Sequence, residues 1–184
     1  PDAQAACSIT GAGSVQAPQT GATVVCNDVE LDDPIVTLSD ANNVTITFGD
    51  GLGEVDGNGD IIPDTIGRAL VVSGEDSQIT INADASISSY AGPTVSIIGA
   101  RNTVTINGGL VSAEGGRVVS LFVAFDNHVT LSGGEISATG NGTHGMEVFS
   151  GSGNTVEVSG GEVSTAGDDA DGIFSNGESN TITV

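Results

Sequence analysis

The sequence predicts an all-β fold, a right-handed parallel β-helix with about 25 residues and three short strands in each coil. Three observations support this prediction. A short motif recurs at a nearly constant step, apolar and polar residues alternate within it, and Gly, Asn, Asp and Ser separate the apolar segments. Aromatic residues make up only 3% of the 184 residues while glycine occurs 28 times, so the core must be narrow and filled by small aliphatic side chains. Period-two alternation at a fixed step is typical of a solenoid built from strands.

The repeated motif is N-x-[VI]-[TE]-[VIL], followed by Gly-Gly in its best copies. Those copies begin at Asn102, Asn127 and Asn154, with a partial copy at Asn180 and weaker copies at Ser77 and Asn42. The first apolar residues lie at positions 44, 79, 104, 129, 156 and 182, so every step is close to one coil length except the first, which is longer. Such spacing predicts that equivalent positions of successive coils stack in columns.

One coil contains three apolar segments, at 104–106, 110–111 and 118–123, separated by glycine-rich corners. Alternation predicts that Ile106 points inward and that Thr105 points outward, in a column with Thr45 and Thr80. Three aromatic residues near the third segments, Phe122, Phe149 and Phe174, are predicted to stack in the core. Right-handed winding is predicted because crossovers between parallel strands are normally right-handed.

The polar residue that opens each motif forms a predicted structural ladder. Its members are Asn42, Asn102, Asn127, Asn154 and Asn180, with Ser77 in the same column. Asparagine tolerates left-handed backbone geometry at a turn, and its amide can bond to the coils above and below. We therefore interpret this column as structural and not as a binding site.

The two cysteines, Cys7 and Cys26, both lie near the N-terminus. Ala3-Gln4-Ala5 looks like the small-residue tail of a secretory cleavage site. An even pair of cysteines in a secreted chain predicts a disulfide. Residues 1–30 are predicted to form an N-terminal cap and first coil, because the end of a solenoid exposes strand edges that must be covered. Residues 31–184 are predicted to form the remaining coils, and the end of the chain within a coil, at Val184, suggests a fragment of a longer protein.

The net charge of −21, with 24 acidic residues against three arginines, constrains the partners. A strongly acidic chain repels nucleic acids and anionic membrane surfaces and attracts divalent cations. No apolar run approaches the roughly 20 residues of a membrane span. We expect no nucleic-acid binding and no membrane insertion of this segment.

Residues 50–66 interrupt the repeat and are predicted to form a loop excursion that binds Ca²⁺. Oxygen ligands at positions 1, 3, 5, 7 and 9 of this loop suit that ion. The candidates are Asp56, Asn58, Asp60, the carbonyl of Ile62, and Asp64, with Asp50 and Glu54 as additional ligands. The loop resembles the calcium loops of thrombospondin type 3 repeats, although Ile61 stands where glycine is usual. The alternative is an acidic, glycine-rich surface loop without an ion.

The extended repeat N-T-V-[TE]-[VI]-[NS]-G-G-x-[VI]-S-[AT], preceded by Gly145-Met146-Glu147-Val148 or by Gly172-Ile173-Phe174, resembles the passenger region of bacterial autotransporters. The resemblance covers about residues 20–184. It implies a right-handed parallel β-helix that is secreted to the bacterial cell surface, where passengers act as adhesins, surface fibres or carriers of enzymes. The implied partners are a receptor or glycan on a host or neighbouring cell, or further copies of the chain.

Two alternative functions follow from the residues. An ice- or crystal-binding solenoid is suggested by outward threonines at positions 45, 47, 103, 105, 181 and 183, although Asn82, Asn107, Ser132 and Glu157 interrupt the array. A polysaccharide-active enzyme is suggested by the fold and by the acidic corner at 168–171, where paired carboxylates are the requirement for glycoside hydrolysis. The chain has no lysine, and neither His128 nor His144 lies in a recognisable nucleophile motif, so no catalytic constellation is predicted.

Overall fold

The computed structural model of the protein describes residues 7–26, 35–37, 40–48, 54–56, 69–83, 85–90 and 92–184. These residues form a parallel β-solenoid of about five turns with roughly 25 residues per turn. The described residues include strands and turns but no helix. The predicted β-helix is thus confirmed, while its right-handed winding stays a prediction.

Three sheets run along the solenoid, and each complete coil from Gln78 onward contributes one strand to each sheet. The first sheet contains β1 (Ser8–Thr10), β2 (Thr23–Cys26), β4 (Thr45–Phe48), β7 (Gln78–Ile81), β10 (Thr103–Ile106), β13 (His128–Leu131), β16 (Thr155–Val158) and β19 (Thr181–Thr183). The second contains β5 (Glu54–Asp56), β8 (Ser86–Ser89), β11 (Leu110–Ala113), β14 (Glu135–Ala138) and β17 (Glu162–Thr165). The third contains β3 (Ile35–Thr37), β6 (Leu70–Val72), β9 (Val95–Ile97), β12 (Val119–Leu121), β15 (Met146–Val148) and β18 (Ile173–Ser175).

The register of the first sheet follows the repeat from residue 78 onward. Ile106 pairs with Ile81 in the preceding coil and with Leu131 in the following coil, and its side chain is fully buried. Thr105 pairs with Thr80 in the same way and lies on the outward face. Apolar side chains from all three sheets meet inside the coils and form one continuous core.

The predicted register of the first coil is wrong by two positions. Ile46, and not Val44, pairs with Ile79, so Thr47 rather than Thr45 joins the column of Thr80. A two-residue shift keeps every side chain on its face of the sheet, so alternation alone cannot distinguish the two registers. The observed register places the fully buried Phe48 beside Ile81 in the core column.

The N-terminal strand differs from all the other described strands in direction. β1 runs antiparallel to β2 along the edge of the first sheet. Cys7, which precedes β1, forms a disulfide with Cys26 at the end of β2. Cys26 is buried in the same column as Phe48, so the disulfide attaches β1 to the first core layer.

The corner that leads into the first sheet uses left-handed backbone geometry in successive coils. The residues concerned are Asn43, Asp76, Arg101, Asp126, Gly153 and Ser179, with φ between 54° and 73°. All of them except Asn43 immediately precede a residue of the predicted ladder column. The expectation that the ladder asparagines adopt left-handed backbone geometry is therefore wrong. The residue before each of them has this geometry, and the asparagine side chain points inward.

The corner between the first and second sheets has a nearly constant length. Its spacing follows from the first residues of the strands that it joins, which are Gln78 and Ser86, Thr103 and Leu110, His128 and Glu135, and Thr155 and Glu162. In the coil that starts at Thr103 this corner is a Gly-Gly pair, and a Cβ on Gly109 (φ 76°) would lie 2.2 Å from the carbonyl oxygen of Ala85. Close packing against the preceding coil thus leaves little room for longer corners here.

The corner between the second and third sheets varies in length from coil to coil. The first residues of the strands that it joins are Glu54 and Leu70, Ser86 and Val95, Leu110 and Val119, Glu135 and Met146, and Glu162 and Ile173. The first of these five connections is the longest, and the second and third are the shortest. Length differences between coils are therefore concentrated at this corner.

Candidate functional site

The asparagine ladder is built into the interior of the corner. Asn127 is 1% exposed; its Oδ1 accepts a hydrogen bond from the backbone N–H of Asn102 (2.8 Å), and its Nδ2 donates to the carbonyl of Gly99 (3.0 Å). Asn102 and Asn154 make the equivalent pairs of bonds to the coils that precede them. Buried amides whose donors and acceptors are used within the corner are structural elements, and they face no ligand cavity.

The N-terminal end of the ladder differs from its centre, whereas the C-terminal end continues it. Oδ1 of Asn180 accepts from the backbone N–H of Asn154 (2.9 Å), as the repeat predicts. Asn42 is not a member, because the register places Val44 at that level, where its N–H donates to Oγ of Ser77 (3.1 Å). Asn42 instead accepts from the N–H of Glu75 (2.8 Å) at the outside of the turn.

The predicted calcium loop falls mainly outside the described residues. Asn58, Asp60, Ile62 and Asp64 lie there, as does Asp50. The prediction of one continuous loop over residues 50–66 is wrong in part, because Glu54–Asp56 within this range form β5. In this strand Asp56 pairs with Ser88. Within the described ranges, no group of three or more His, Cys, Asp or Glu side chains is arranged to hold a metal ion. The calcium site stays a prediction.

The acidic corner and the histidines form local contacts. Nδ1 of His144 accepts from the backbone N–H of Asp171 (3.1 Å), and its ring stacks on Phe174 with centroids 4.6 Å apart. The N–H of Asp168 donates to Oδ1 of Asn141 (3.1 Å). His128 Nε2 lies 2.9 Å from the Thr130 hydroxyl. These contacts position turns and strand faces, and the enzyme alternative stays a prediction.

The aromatic residues near the third sheet lie on its surface, so the prediction that they stack in the core is wrong. Phe122 and Phe149 are 46% and 39% exposed, and their rings stack on each other with centroids 5.3 Å apart and an angle of 23°. Leu121 and Val148 occupy the inward positions just before them, so the next residue in each chain segment faces outward. Phe174 aligns with Glu147 in the outward column and contacts His144 instead.

These two phenylalanines form one wall of a cavity of about 230 Å³, which we call the aromatic groove. Its lining residues are Pro93, Ser96, Ile98, Arg117, Ser120, Phe122, Glu147 and Phe149. The floor is the outward column of the third sheet, in which Ser96 pairs with Ser120 and Ser120 pairs with Glu147. The floor residues are only 1–3% exposed although they point away from the core. The surrounding side chains therefore enclose a polar floor beside an aromatic wall.

An ion pair crosses the floor of the aromatic groove. Nε of Arg117 lies 2.7 Å from Oε2 of Glu147, and the Ser120 hydroxyl donates to the same oxygen over 3.4 Å. Nε makes no hydrogen bond to a described residue, so the contact is one of charge. The guanidinium carbon of Arg117 also lies 6.0 Å from the centroid of the Phe149 ring. Arg117 supplies the countercharge that a carboxylate with 2% exposure requires.

A second notable surface is the outward face of the first sheet, which we call the threonine face. The seven parallel strands of the first sheet are β2, β4, β7, β10, β13, β16 and β19. Their outward residues form two columns in register. The first column contains Thr23, Thr45, Gln78, Thr103, His128, Thr155 and Thr181; the second contains Val25, Thr47, Thr80, Thr105, Thr130, Glu157 and Thr183. Ten of these 14 positions are threonine and one is a carboxylate, in a chain with 24 acidic residues. The sequence predicts three of these threonine pairs, and the strand register extends them into continuous columns.

Comparisons of the chain with protein-family models, curated proteins and solved structures find no match. The class that the fold defines is the parallel β-solenoid with three sheets. Across the described ranges, no helix has the length and apolarity needed to cross a bilayer. The function must therefore be inferred from the aromatic groove and the threonine face.

Proposed function

We propose that this chain is part of a secreted, cell-surface solenoid that resembles an autotransporter passenger and uses the aromatic groove for adhesive binding. The observation that carries the proposal is the stacked pair Phe122 and Phe149, exposed above a polar floor in a protein with only 3% aromatic residues. The Cys7–Cys26 disulfide is compatible with an extracellular location.

These two rings do not fill the core of the coil. Leu121 and Val148 already fill the core at this level, so Phe122 and Phe149 add no core packing. Exposed apolar patches with a polar rim are typical of interaction sites, and aromatic and arginine side chains contribute most of the energy in such sites.

The proposal is tested in two ways. On intact source cells, the chain should be cleaved by added protease, which tests surface location. Beads coated with the chain should adhere to neighbouring or host cells, and the double change Phe122→Ala with Phe149→Ala should abolish this adhesion. Phe125→Ala is the matched control, since Phe125 is equally exposed but does not line the aromatic groove. Protection from protease on intact cells, or equal adhesion by all variants, would contradict the proposal.

Ice or crystal binding by the threonine face is the second candidate, because ten of 14 in-register outward positions are threonine. Strands about 4.8 Å apart place the methyl and hydroxyl groups in regular rows. Thermal hysteresis of the purified chain tests this function. Thr105→Tyr in the centre of the face should remove the activity, whereas Ser112→Tyr on the outward face of β11 should not. A chain without thermal hysteresis does not bind ice.

A further inference from the structure

We propose that the aromatic groove binds a neutral saccharide by stacking one pyranose ring on Phe122 and Phe149. This inference rests on the proposed function, because it specifies the ligand class of the adhesive site. Three features of the groove support it: the geometry of the aromatic wall, the hydrogen-bonding groups of the floor, and the cancellation of charge between Arg117 and Glu147.

The aromatic wall suits the C–H face of a sugar ring. Phe122 and Phe149 stack on each other with a centroid separation of 5.3 Å, so each ring packs one face against its partner and leaves its outer face and edge to a ligand. Rings that are 46% and 39% exposed are accessible to a ligand without rearrangement of the core. The negative face of an aromatic ring attracts the weakly positive C–H groups of a pyranose, which a flexible aliphatic wall would not do.

The floor offers the mixture of donors and acceptors that vicinal hydroxyl groups require. The carboxylate of Glu147 accepts hydrogen bonds, the guanidinium of Arg117 donates them, and the Ser96 hydroxyl does both. The Ser120 hydroxyl, which donates to Glu147, can accept. A sugar hydroxyl is also both donor and acceptor, so one ring can satisfy several of these groups together.

Charge selects a neutral ligand over an ionic one. Arg117 and Glu147 lie 2.7 Å apart and cancel each other within the groove. The chain as a whole carries a net charge of −21 and repels anionic saccharides. A cationic ligand would have to displace Arg117 to reach a carboxylate that is only 2% exposed. A neutral sugar is not repelled by the net charge, and its hydroxyl groups can bond to the half-exposed guanidinium of Arg117 without displacing it.

The size of the cavity limits the ligand and its affinity. A cavity of about 230 Å³ is smaller than the range of roughly 300–1,000 Å³ typical of drug-sized ligands. It therefore accommodates one sugar ring, with the rest of a longer glycan outside. A ligand of this size in an open groove is expected to bind with a dissociation constant on the order of millimolar. Repetition of the chain on a cell surface would raise the apparent affinity through multivalency.

Saturation-transfer NMR on the purified chain tests the inference. The probes are the methyl glycosides of glucose, galactose and mannose, with galacturonate as the anionic match. We expect transfer to at least one neutral glycoside, a loss of at least fivefold in Phe149→Ala, and no change in Phe125→Ala. Glu147→Gln leaves Arg117 without its countercharge, so this variant should gain transfer to galacturonate. If Glu147 had only a structural role, Glu147→Gln would not change the preference of the chain between neutral and anionic sugars.

The inference is overturned if the wild-type chain shows no transfer to any neutral glycoside, if it prefers galacturonate, or if Phe125→Ala loses as much signal as Phe149→Ala. Separate outcomes test the proposed function and the saccharide inference. If adhesion requires Phe122 and Phe149 but neutral glycosides do not inhibit it, the inference of saccharide binding is refuted and the adhesive site is supported. If the chain binds a neutral sugar but is protected from protease on intact cells, only the surface location is refuted.

Discussion

The side-chain oxygen of Asn127 accepts a hydrogen bond from the backbone N–H of Asn102, the residue at the same position one coil earlier, over 2.8 Å. The amide nitrogen of Asn127 donates to the carbonyl of Gly99 in the same preceding coil, over 3.0 Å. One buried side chain thus satisfies a donor and an acceptor of its neighbour. The coils are connected by these side chains in addition to the backbone bonds of the three sheets.

Asn127→Ala should lower the free energy of unfolding by about 3 kcal/mol. The change leaves the N–H of Asn102 and the carbonyl of Gly99 without these partners, at a cost of about 1–3 kcal/mol for each buried group. Asn107→Ala is the control, because the Asn107 side chain hydrogen-bonds only to exposed side chains; it should change stability by about 0.5 kcal/mol or less. Urea denaturation measures both variants, and equal midpoints would contradict a structural ladder.

Ile106→Asp should be far more damaging than Thr105→Asp, although the residues are adjacent. Ile106 is fully buried between Ile81 and Leu131, whereas Thr105 faces outward. A buried unpaired carboxylate costs several kcal/mol, while a surface change usually stays within about 0.5 kcal/mol. Thermal melts of the two variants measure the difference. Equal losses would mean that the register of β10 is wrong.

Reduction of the Cys7–Cys26 disulfide should loosen the N-terminal strands and leave the later coils folded. Stability in a solenoid depends mainly on contacts between neighbouring coils, so the effect should decay along the rod. Amide hydrogen exchange should show lost protection in β1 and β2 and retained protection in β13 and β16. The double change Cys7→Ser with Cys26→Ser is the matched control for the reductant, since the chain has two cysteines. Uniform loss of protection would contradict the prediction.

The Arg101 guanidinium, which hydrogen-bonds to Asp76 (2.8 and 3.0 Å), lowers the pKa of that carboxyl below its usual value. A pKa that is lower in the folded state gives stability above the unfolded value of about 3.9, and this stability is lost as the pH falls through the folded pKa. Arg101→Gln should raise the pKa of Asp76 in an NMR titration, and Arg117→Gln should not. An unchanged pKa in Arg101→Gln would show that the contact is absent in solution.

Calcium should raise the melting temperature if the loop that follows β5 binds it. Linkage predicts about 2.7 kcal/mol of stabilisation at a calcium concentration one hundred times the dissociation constant. Mg²⁺ should have a smaller effect, because a wide cage of oxygens suits the larger ion. The double change Asp56→Asn with Asp60→Asn should remove the response to calcium. Identical melts in chelator and in millimolar calcium would identify an acidic loop without an ion.

The fold was predictable because the period and the alternation are repeated in many coils. From Gln78 onward, the motif aligns strands in the register that the structure shows. In the first coil the alternation allowed two registers that differ by two residues. The pairing of the strands shows which one is formed, and it places the fully buried Phe48 in the core.

The aromatic groove was less predictable than the fold. Apolar character alone placed Phe122 and Phe149 in the core, but Leu121 and Val148 occupy the inward positions at this level. The alternation contained the missing signal, since a residue that follows an inward position faces outward. The polar floor became visible only when the register brought Ser96, Ser120 and Glu147 into one column.

The uneven corner between the second and third sheets has a consequence for protein engineering. The length of this corner differs between coils, while the strands on either side keep their parallel pairing. Gly142 in one of these corners is exposed, and a side-chain carbon built there would meet no atom within 4 Å. A foreign peptide grafted at Gly142 can project from the rod while the coils above and below keep their alignment, so this corner is a position at which the chain can display an epitope.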